Sequence, residues 1–291
     1  MKPELEPLYK TDRKTVLVLG SGRSGGTWLA GLLASPFRYR LLFEPFHPGH
    51  VPGAELVADR HYAPDDLSQE VIAFISRALT DRIDSEWIAQ SSNRRFNMHR
   101  WRCWPKVRIV KCIRGNLLIP ALRQMYGPDL PILVLMRHPG AVVQSMLRVK
   151  FPWAFDLATL LAQVNFAQTY QVPLDRLRGF TQDPVGQVTV RWLIENLYLF
   201  SRAEALGARL VFYEDLVEDP VGCITSLCAQ LGLKVVDGLE EKVKRPSYTT
   251  HPRSAVRTGV ISTQTWRERL PEESQQRIEQ IMYAVGFSYP R

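Results

Sequence analysis

The fold is decided by Val16-Leu17-Val18-Leu19-Gly20-Ser21-Gly22-Arg23-Ser24-Gly25-Gly26-Thr27-Trp28. Its first four residues form a short apolar run ending at glycine, as expected of a strand buried on both faces of a parallel sheet. A glycine-rich turn follows, and Thr27–Ala34 then reads as a helix. Strand, glycine-rich turn and helix together suit a phosphate-binding loop: glycines let successive N–H groups converge on an anion, and the helix N-terminus adds partial positive charge. From Gly20 to Thr27 the spacing matches G-x-x-x-x-G-K-[ST], with Gly26 in the lysine position. That lysine contacts the β- and γ-phosphates in nucleotide triphosphatases, so the loop suits a phosphate but not a triphosphate. Arg23 remains as a cation inside it. Two other readings compete: a strand-to-helix turn with no ligand, and a dinucleotide-binding G-x-G-x-x-G from Gly20 to Gly25 with Glu44 as the ribose-binding acid.

Outward from the loop, short apolar runs alternate with longer helical patterns. Strands are expected at Thr15–Leu19, Arg40–Phe43, Val107–Ile113, Ile132–Met136 and Arg209–Phe212. Helices are expected at Thr27–Ala34, Leu67–Thr80, Ala141–Val149, Val185–Leu206, Val221–Leu231 and Glu272–Val285. The alternation predicts an α/β, P-loop-like three-layer fold with a central parallel sheet of about five strands flanked by helices. Residues 1–291 read as one domain, with Glu44–Pro52, Phe151–Trp153 and Gln182–Pro184 as loops and Lys242–Thr265 as a long polar, basic loop.

The composition is that of a globular protein: 45% of the 291 residues are hydrophobic and 23% charged. The formal net charge of +8 favours an anionic ligand, and is also compatible with nucleic acid or an anionic membrane surface. No apolar run approaches the ~20 residues that span a bilayer. Met1 to Lys14 lacks a signal-peptide core. Cys103, Cys112, Cys223 and Cys228 form neither a CxxC nor a Cys/His cluster, so they read as reduced thiols of a cytoplasmic protein with no zinc site.

A second anion site is written in Ile132-Leu133-Val134-Leu135-Met136 followed by Arg137-His138-Pro139-Gly140 and Ala141-Val142-Val143-Gln144-Ser145. Arg137 falls at the carboxyl end of a strand, the edge of an open α/β sheet that holds ligands, and therefore beside the first loop. Ser145 can approach the same anion if the helix folds over it.

With both segments in place, the sequence resembles the sulfotransferases that use 3′-phosphoadenosine-5′-phosphosulfate (PAPS), and in motif pattern it is most similar to their carbohydrate branch. Arg23-Ser24-Gly25-Gly26-Thr27 resembles their 5′-phosphosulfate loop, [KR]-S-G-[ST]-[TS], and Arg137 to Ser145 resembles their 3′-phosphate segment, R-[DN]-P-x-A-V-x-x-S. Phe212-Tyr213-Glu214-Asp215-Leu216 with Asp219-Pro220 is similar to a Y-E-D-L…P stretch, Trp266-Arg267 with Leu270 to a W-[RK]-x-x-L element, and Lys111-Cys112-Ile113-Arg114 to the K-x-x-R of the carbohydrate branch. Three positions depart: Gly26 replaces a hydroxyl residue, His138 replaces Asp or Asn, and Arg257-Thr258-Gly259 is only loosely similar to an R-K-G element.

The resemblance implies PAPS as donor and adenosine-3′,5′-bisphosphate (PAP) as product. It implies a cofactor site of Gly22, Arg23, Ser24, Gly25, Gly26, Thr27, Trp28, Arg137, Ser145 and Arg257, with Tyr213 on the adenine. Sulfuryl transfer to an alcohol is an in-line displacement, so positioning and fixed positive charge should supply the catalysis, with Arg23 stabilising the leaving phosphate and one base taking the alcohol proton. Glu44, in an E-P element similar to that of carbohydrate sulfotransferases, is the expected base. His47 and His50 are its rivals, and His99 a remote one. A bland alternative pairs Glu44 with Arg40 or Arg94. His47, Lys111 and Arg114 are expected near the acceptor, a carbohydrate or other small molecule. No metal and no nucleic acid are expected. Arg94-Arg95 with the basic, aromatic run Arg100 to Lys106 could grip a sugar, an anionic polymer or a nucleic acid, or cap the core edge with solvated arginines. Phe151 to Phe155 could form an acceptor-pocket wall or lid or pack on the sheet. A kinase or hydrolase with a degenerate loop is the leading alternative; it needs a lysine from elsewhere and a metal-binding acid such as Asp215.

Overall fold

Along the first strand the side chains alternate between two cores: Val16 and Val18 enter one, Leu17 and Leu19 the other. The same alternation continues into the neighbouring strands, with Ile109 and Leu133 on the first side and Val110 and Val134 on the second. A sheet apolar on both faces must be covered on both. The computed structural model describes residues 13–34, 39–90, 107–245 and 263–291. Its strands are β1 (Lys14–Gly20), β2 (Tyr39–Phe43), β3 (Val107–Lys111), β4 (Ile132–Met136) and β5 (Ala208–Phe212). They form one sheet in the order β2-β3-β1-β4-β5, every pair parallel. All five expected strands are present within two residues of their expected ends.

The helices run in order as α1 (Gly26–Leu33), α2 (Gln69–Leu79), α3 (Glu86–Ala89), α4 (Ile119–Tyr126), α5 (Pro139–Val149), α6 (Pro152–Phe155), α7 (Ala158–Leu161), α8 (Val164–Tyr170) and α9 (Leu174–Arg178). They continue as α10 (Pro184–Asn196), α11 (Leu199–Arg202), α12 (Tyr213–Glu218), α13 (Pro220–Gln230), α14 (Leu239–Val243), α15 (Thr265–Arg269) and α16 (Glu272–Ala284). Helices α1, α13 and α14 cover one face; α2, α4, α5, α10 and α16 cover the other. This is the expected three-layer α/β fold.

Several boundaries differ from expectation for identifiable reasons. Helices α5, α10 and α13 each begin one or two residues early, on a proline. Proline suits the first helical position because its missing N–H would be unpaired there. The preceding residue then caps: His138 Nδ1 accepts from the Gly140 amide at 3.1 Å, Asp183 from Gly186 at 2.8 Å and Asp219 from Gly222 at 2.9 Å. The single helix expected over Val185–Leu206 is two, because after Asn196 the ladder tightens and the Phe200 amide bonds the Leu197 carbonyl at 3.3 Å. The expected loops at Phe151–Trp153 and Lys242–Thr265 are trimmed by α6, α14 and α15, which are too short to show a helical period. No described helix is long and apolar enough to cross a membrane. Cys112, Cys223 and Cys228 are free thiols, and Cys103 lies outside the described residues.

The fold places a site by topology. Chain connections leave β1 toward β3 and β2 on one side, while β4 and β5 lie on the other. The crevice beyond the carboxyl ends of β1 and β4 is where such sheets hold ligands.

Candidate active site

At that crevice β1 ends in Gly20, and the chain turns through Arg23 at φ 68° and Gly25 at φ 97° before α1 begins. The left-handed conformation is ordinary for Gly25 but costs a non-glycine residue such as Arg23 about 1–3 kcal/mol, a strain that clusters at ligand sites. Two glycines are also set by close approach. A Cβ on Gly25 would come within 2.8 Å of the Tyr213 ring, and one on Gly22 within 2.3 Å of Trp153. The loop is therefore pressed between the start of α12 and α6.

Strand β4 delivers Arg137 to the same place. Arg137 Nη1 donates to the Arg23 carbonyl at 2.9 Å, and its guanidinium lies over the Tyr213 ring at 4.2 Å. Ser145, two turns into α5, accepts from Arg23 Nε at 3.1 Å. The two anion segments read from the sequence thus share one rim. Trp28 meets Tyr213 edge to face at 6.1 Å.

The rim is crowded with cations. The Arg23 guanidinium is held below its usual range, first by burial and then by the charges of Arg137 and Arg148. Arg148 is lowered in the same way, by burial and then by Arg269 and Arg137. Guanidinium groups that depress one another stabilise a ligand that brings negative charge between them. Arg148 and Arg269 escaped sequence reasoning. Arg148 carried a signal: it follows Ser145 by three residues and so shares its face of α5.

Next to this rim, Glu44 follows β2 and turns at φ 48° into the crevice. Its carboxylate is buried and ion-paired with Lys111 of β3, and Oε2 accepts from the Ile113 amide at 3.1 Å. Arg114 Nη1 lies 3.9 Å from Oε2. The pairing with Arg40 considered from sequence does not form; Arg40 Nε binds Asp81 at 2.8 Å instead. Arg94 lies outside the described residues. The Lys111 side chain also crosses the loop: its Cε lies 3.1 Å from where a Cβ on Gly26 would stand. The lysine missing from the loop is thus replaced in space by one from β3. Asp215 pairs with Arg291 at 3.1 Å, and Glu44 is the one carboxylate among the described residues lining the cleft.

His47 borders the cleft, and its pKa is lowered to about 4 by burial, then by Arg114 and His50. Its Nδ1 accepts from the Gly49 amide at 3.1 Å, so the neutral ring carries its proton on Nε2 and acts as a donor there, not as a base. His47 and His50 pack on Trp87, the latter stacked at 3.7 Å. Across the opening Arg114 lies over Trp153 at 4.8 Å. His138, at the departure from the Asp or Asn pattern, does not line the cleft and stacks on Trp266 at 4.5 Å.

Together these groups enclose a cleft of about 800 Å³, within the usual range for a small-molecule site. It is lined by the expected residues of the loop except Ser24, and by Arg137, Ser145, Tyr213, Glu44, His47, Lys111 and Arg114. Ser24 sits inside the turn with its hydroxyl unpaired. Arg257, His99 and the run Arg100 to Lys106 lie outside the described residues. No cluster of three or more His, Cys, Asp or Glu able to hold a metal occurs among the described residues.

A model of the sulfotransferase family matches residues 15–237. Among solved structures the chain is similar to the sulfotransferase domain from the curacin biosynthetic pathway, with 15% identity, 97% of this chain and 100% of that one covered, and a TM-score of 0.53. It is similar to the sulfotransferase domain of the Synechococcus PCC 7002 olefin synthase, with 19% identity, 98% of both chains covered and a TM-score of 0.51. It is also similar to mouse sulfotransferase SULT7A1, solved in complex with PAP, with 14% identity, 99% of this chain and 91% of that one covered, and a TM-score of 0.50. At such identities these structures speak for the fold alone. No curated protein matches the sequence. The family match covers both anion segments and the strands that carry them, and the chain belongs to the sulfotransferase family.

Proposed function

We propose that the cleft binds PAPS and that the protein, acting as a single domain over residues 1–291, transfers its sulfuryl group to an alcohol hydroxyl of a carbohydrate or glycosylated metabolite. The observation that carries this reading is the bond from Arg137 to the Arg23 carbonyl, which sets the cations of both anion segments on one rim. The residues suit a phosphorylated ligand: Ser24 Oγ and Arg137 Nε are buried polar atoms without a partner among the described residues. Buried polar groups left unpaired are costly, and an anion on the rim satisfies them. PAP in the mouse enzyme agrees with this choice of ligand.

The loop amides, Arg23, Ser24 and Thr27 hold the 5′-phosphate and stabilise charge as it departs. Arg137 and Ser145 hold the 3′-phosphate, and Arg257 contributes there. Tyr213, already covered by Arg137, and Trp28 wall the adenine. Glu44 takes the acceptor proton while the acceptor oxygen bonds to sulfur and the bond from sulfur to the phosphate oxygen breaks. A carboxylate has about four acceptor positions, and the Lys111 ammonium and Ile113 amide leave room for the hydroxyl. Lys111 is set to neutralise the sulfuryl oxygens, and Arg114 and the His47 Nε2–H to receive acceptor oxygens. Trp87 and Trp153 line the cleft beside the donors Arg114 and His47, a mixed aromatic and polar wall that suits the carbohydrate class. The free thiols suit a cytoplasmic protein.

Mass spectrometry of alcohol panels incubated with isotopically labelled PAPS tests the proposal. Label is expected on a glycosidic or sugar hydroxyl. Label only on phenols or aliphatic alcohols would overturn the acceptor class, and no label from PAPS on any acceptor would overturn the activity.

A further inference from the structure

The phosphate loop stands on a buried polar network that the transfer chemistry leaves unused. Ser21 Oγ donates to Glu195 Oε2 of α10 at 2.5 Å, and Asn196 Nδ2 donates to the same Ser21 oxygen at 2.7 Å. Asn196 thus occupies one of the two acceptor positions of the Ser21 oxygen, while the hydroxyl proton is directed to Glu195 when its carboxyl is ionised. The other carboxylate oxygen, Oε1, accepts from Arg191 Nη1 at 3.0 Å, and the same nitrogen reaches Asp59 Oδ2 at 3.1 Å. Ser21, Glu195, Asn196 and Arg191 are each no more than 4% exposed. Arg191 also bonds the Asp156 carbonyl and lies over Trp153 at 5.6 Å, so the network touches the acceptor wall as well as the donor loop.

Two carboxylates here share one guanidinium. With both ionised, one negative charge is uncompensated; Asp59 keeps some contact with solvent, whereas Glu195 is fully buried beneath the loop. Charge buried in that way is strongly unfavourable. The charged groups acting on Glu195 are Arg191 on its own helix and Asp59 from the segment after β2, with Ser21 as its hydroxyl partner.

We propose that Glu195 is a positioning residue for donor binding: it fixes the phosphate loop through Ser21, and its carboxyl takes up a proton when the donor's phosphate settles on the loop. This rests on the assignment of the loop to the donor. Burial pushes the Glu195 carboxyl up to about 7, with Arg191 opposing and Asp59 adding to the rise. An anion on the loop raises it further. Well below that value the proton is present in both states and affinity is flat. As pH rises through it, binding draws a proton in, so donor affinity falls.

Titration calorimetry of PAP into the full chain, in two buffers of different ionisation enthalpy and from pH 6.5 to 8.5, reads this directly. Wild type is expected to take up protons at pH 7.5 beyond any taken up by Glu195→Gln, and to lose roughly threefold or more in affinity across the range relative to that variant. Ser21→Ala, which breaks the link without disturbing the carboxyl's other partners, is expected to weaken PAP binding about three- to tenfold. A folded Glu195→Gln with the same proton uptake and pH slope as wild type would overturn the proposal. If Glu195→Gln does not fold, unchanged affinity in Ser21→Ala overturns it and weakened affinity supports it. Wild type that fails to bind PAP would remove the donor assignment itself, and this proposal with it.

Discussion

Glu44 shows how one residue gets its environment from the sheet and not from its neighbours in sequence. Its partner Lys111 lies in register with Phe43 across β2 and β3, and the Glu44 amide bonds the Lys111 carbonyl at 2.7 Å. That register is invisible in a one-dimensional reading, which considered Arg40 and Arg94 as partners. Arg23, Arg137 and Ser145 were legible because their positions follow from strand ends and helix turns. Arg269 was not, since its place depends on how α15 packs against α5. At this scale the prediction is that Glu44→Gln lowers kcat roughly a hundredfold or more, the usual effect of removing a general base. Calorimetry should find PAP affinity nearly unchanged, because the proposed phosphate contacts are made by the glycine loop, Arg137 and Ser145 and not by Glu44. A variant turning over at near-wild-type rate would exclude Glu44 as the base.

Among the elements, the strands were fully legible because sheets buried on both faces leave short apolar runs between charges and glycines. The helix starts were less so: the capping residue and proline at the head of α5, α10 and α13 belong to the helix, yet they look like loop punctuation. These caps give a stability prediction independent of the site. Asp219 holds the Gly222 amide at the start of α13, so Asp219→Ala should cost about 1 kcal/mol in urea unfolding, with PAP binding unaltered. The contact between α6 and the loop gives a functional one. A Cβ on Gly22 must push the Trp153 ring aside, so Gly22→Ala should raise the acceptor KM more than the donor KM in steady-state assays. An increase confined to the donor would place Trp153 outside the acceptor wall.

At the scale of the whole molecule, the fold gathers cations at one sheet edge and keeps a carboxyl with a raised pKa beneath them. The sign of the stability effect follows. Unfolded, Glu195 loses its proton near 4.5; folded, it keeps it to about 7. The folded state therefore binds more protons between those values, and stability falls as pH rises through that window. Melting temperatures of wild type minus those of Glu195→Gln should decline from pH 4.5 to 7 and level off above. A flat difference would mean that Glu195 titrates normally. None of this was legible in the sequence, because Glu195 meets Ser21 only when α10 crosses beneath the loop.

The central claim is that Arg137 grips a second phosphate beside the glycine loop, and a binding cycle tests it most directly. PAP and adenosine-5′-monophosphate are titrated into wild type and Arg137→Ala. Loss of the 3′-phosphate should cost wild type about 1.5–3 kcal/mol, as for a hydrogen bond to a charged group, and should cost Arg137→Ala much less. Equal losses in both proteins would mean that Arg137 does not hold that phosphate.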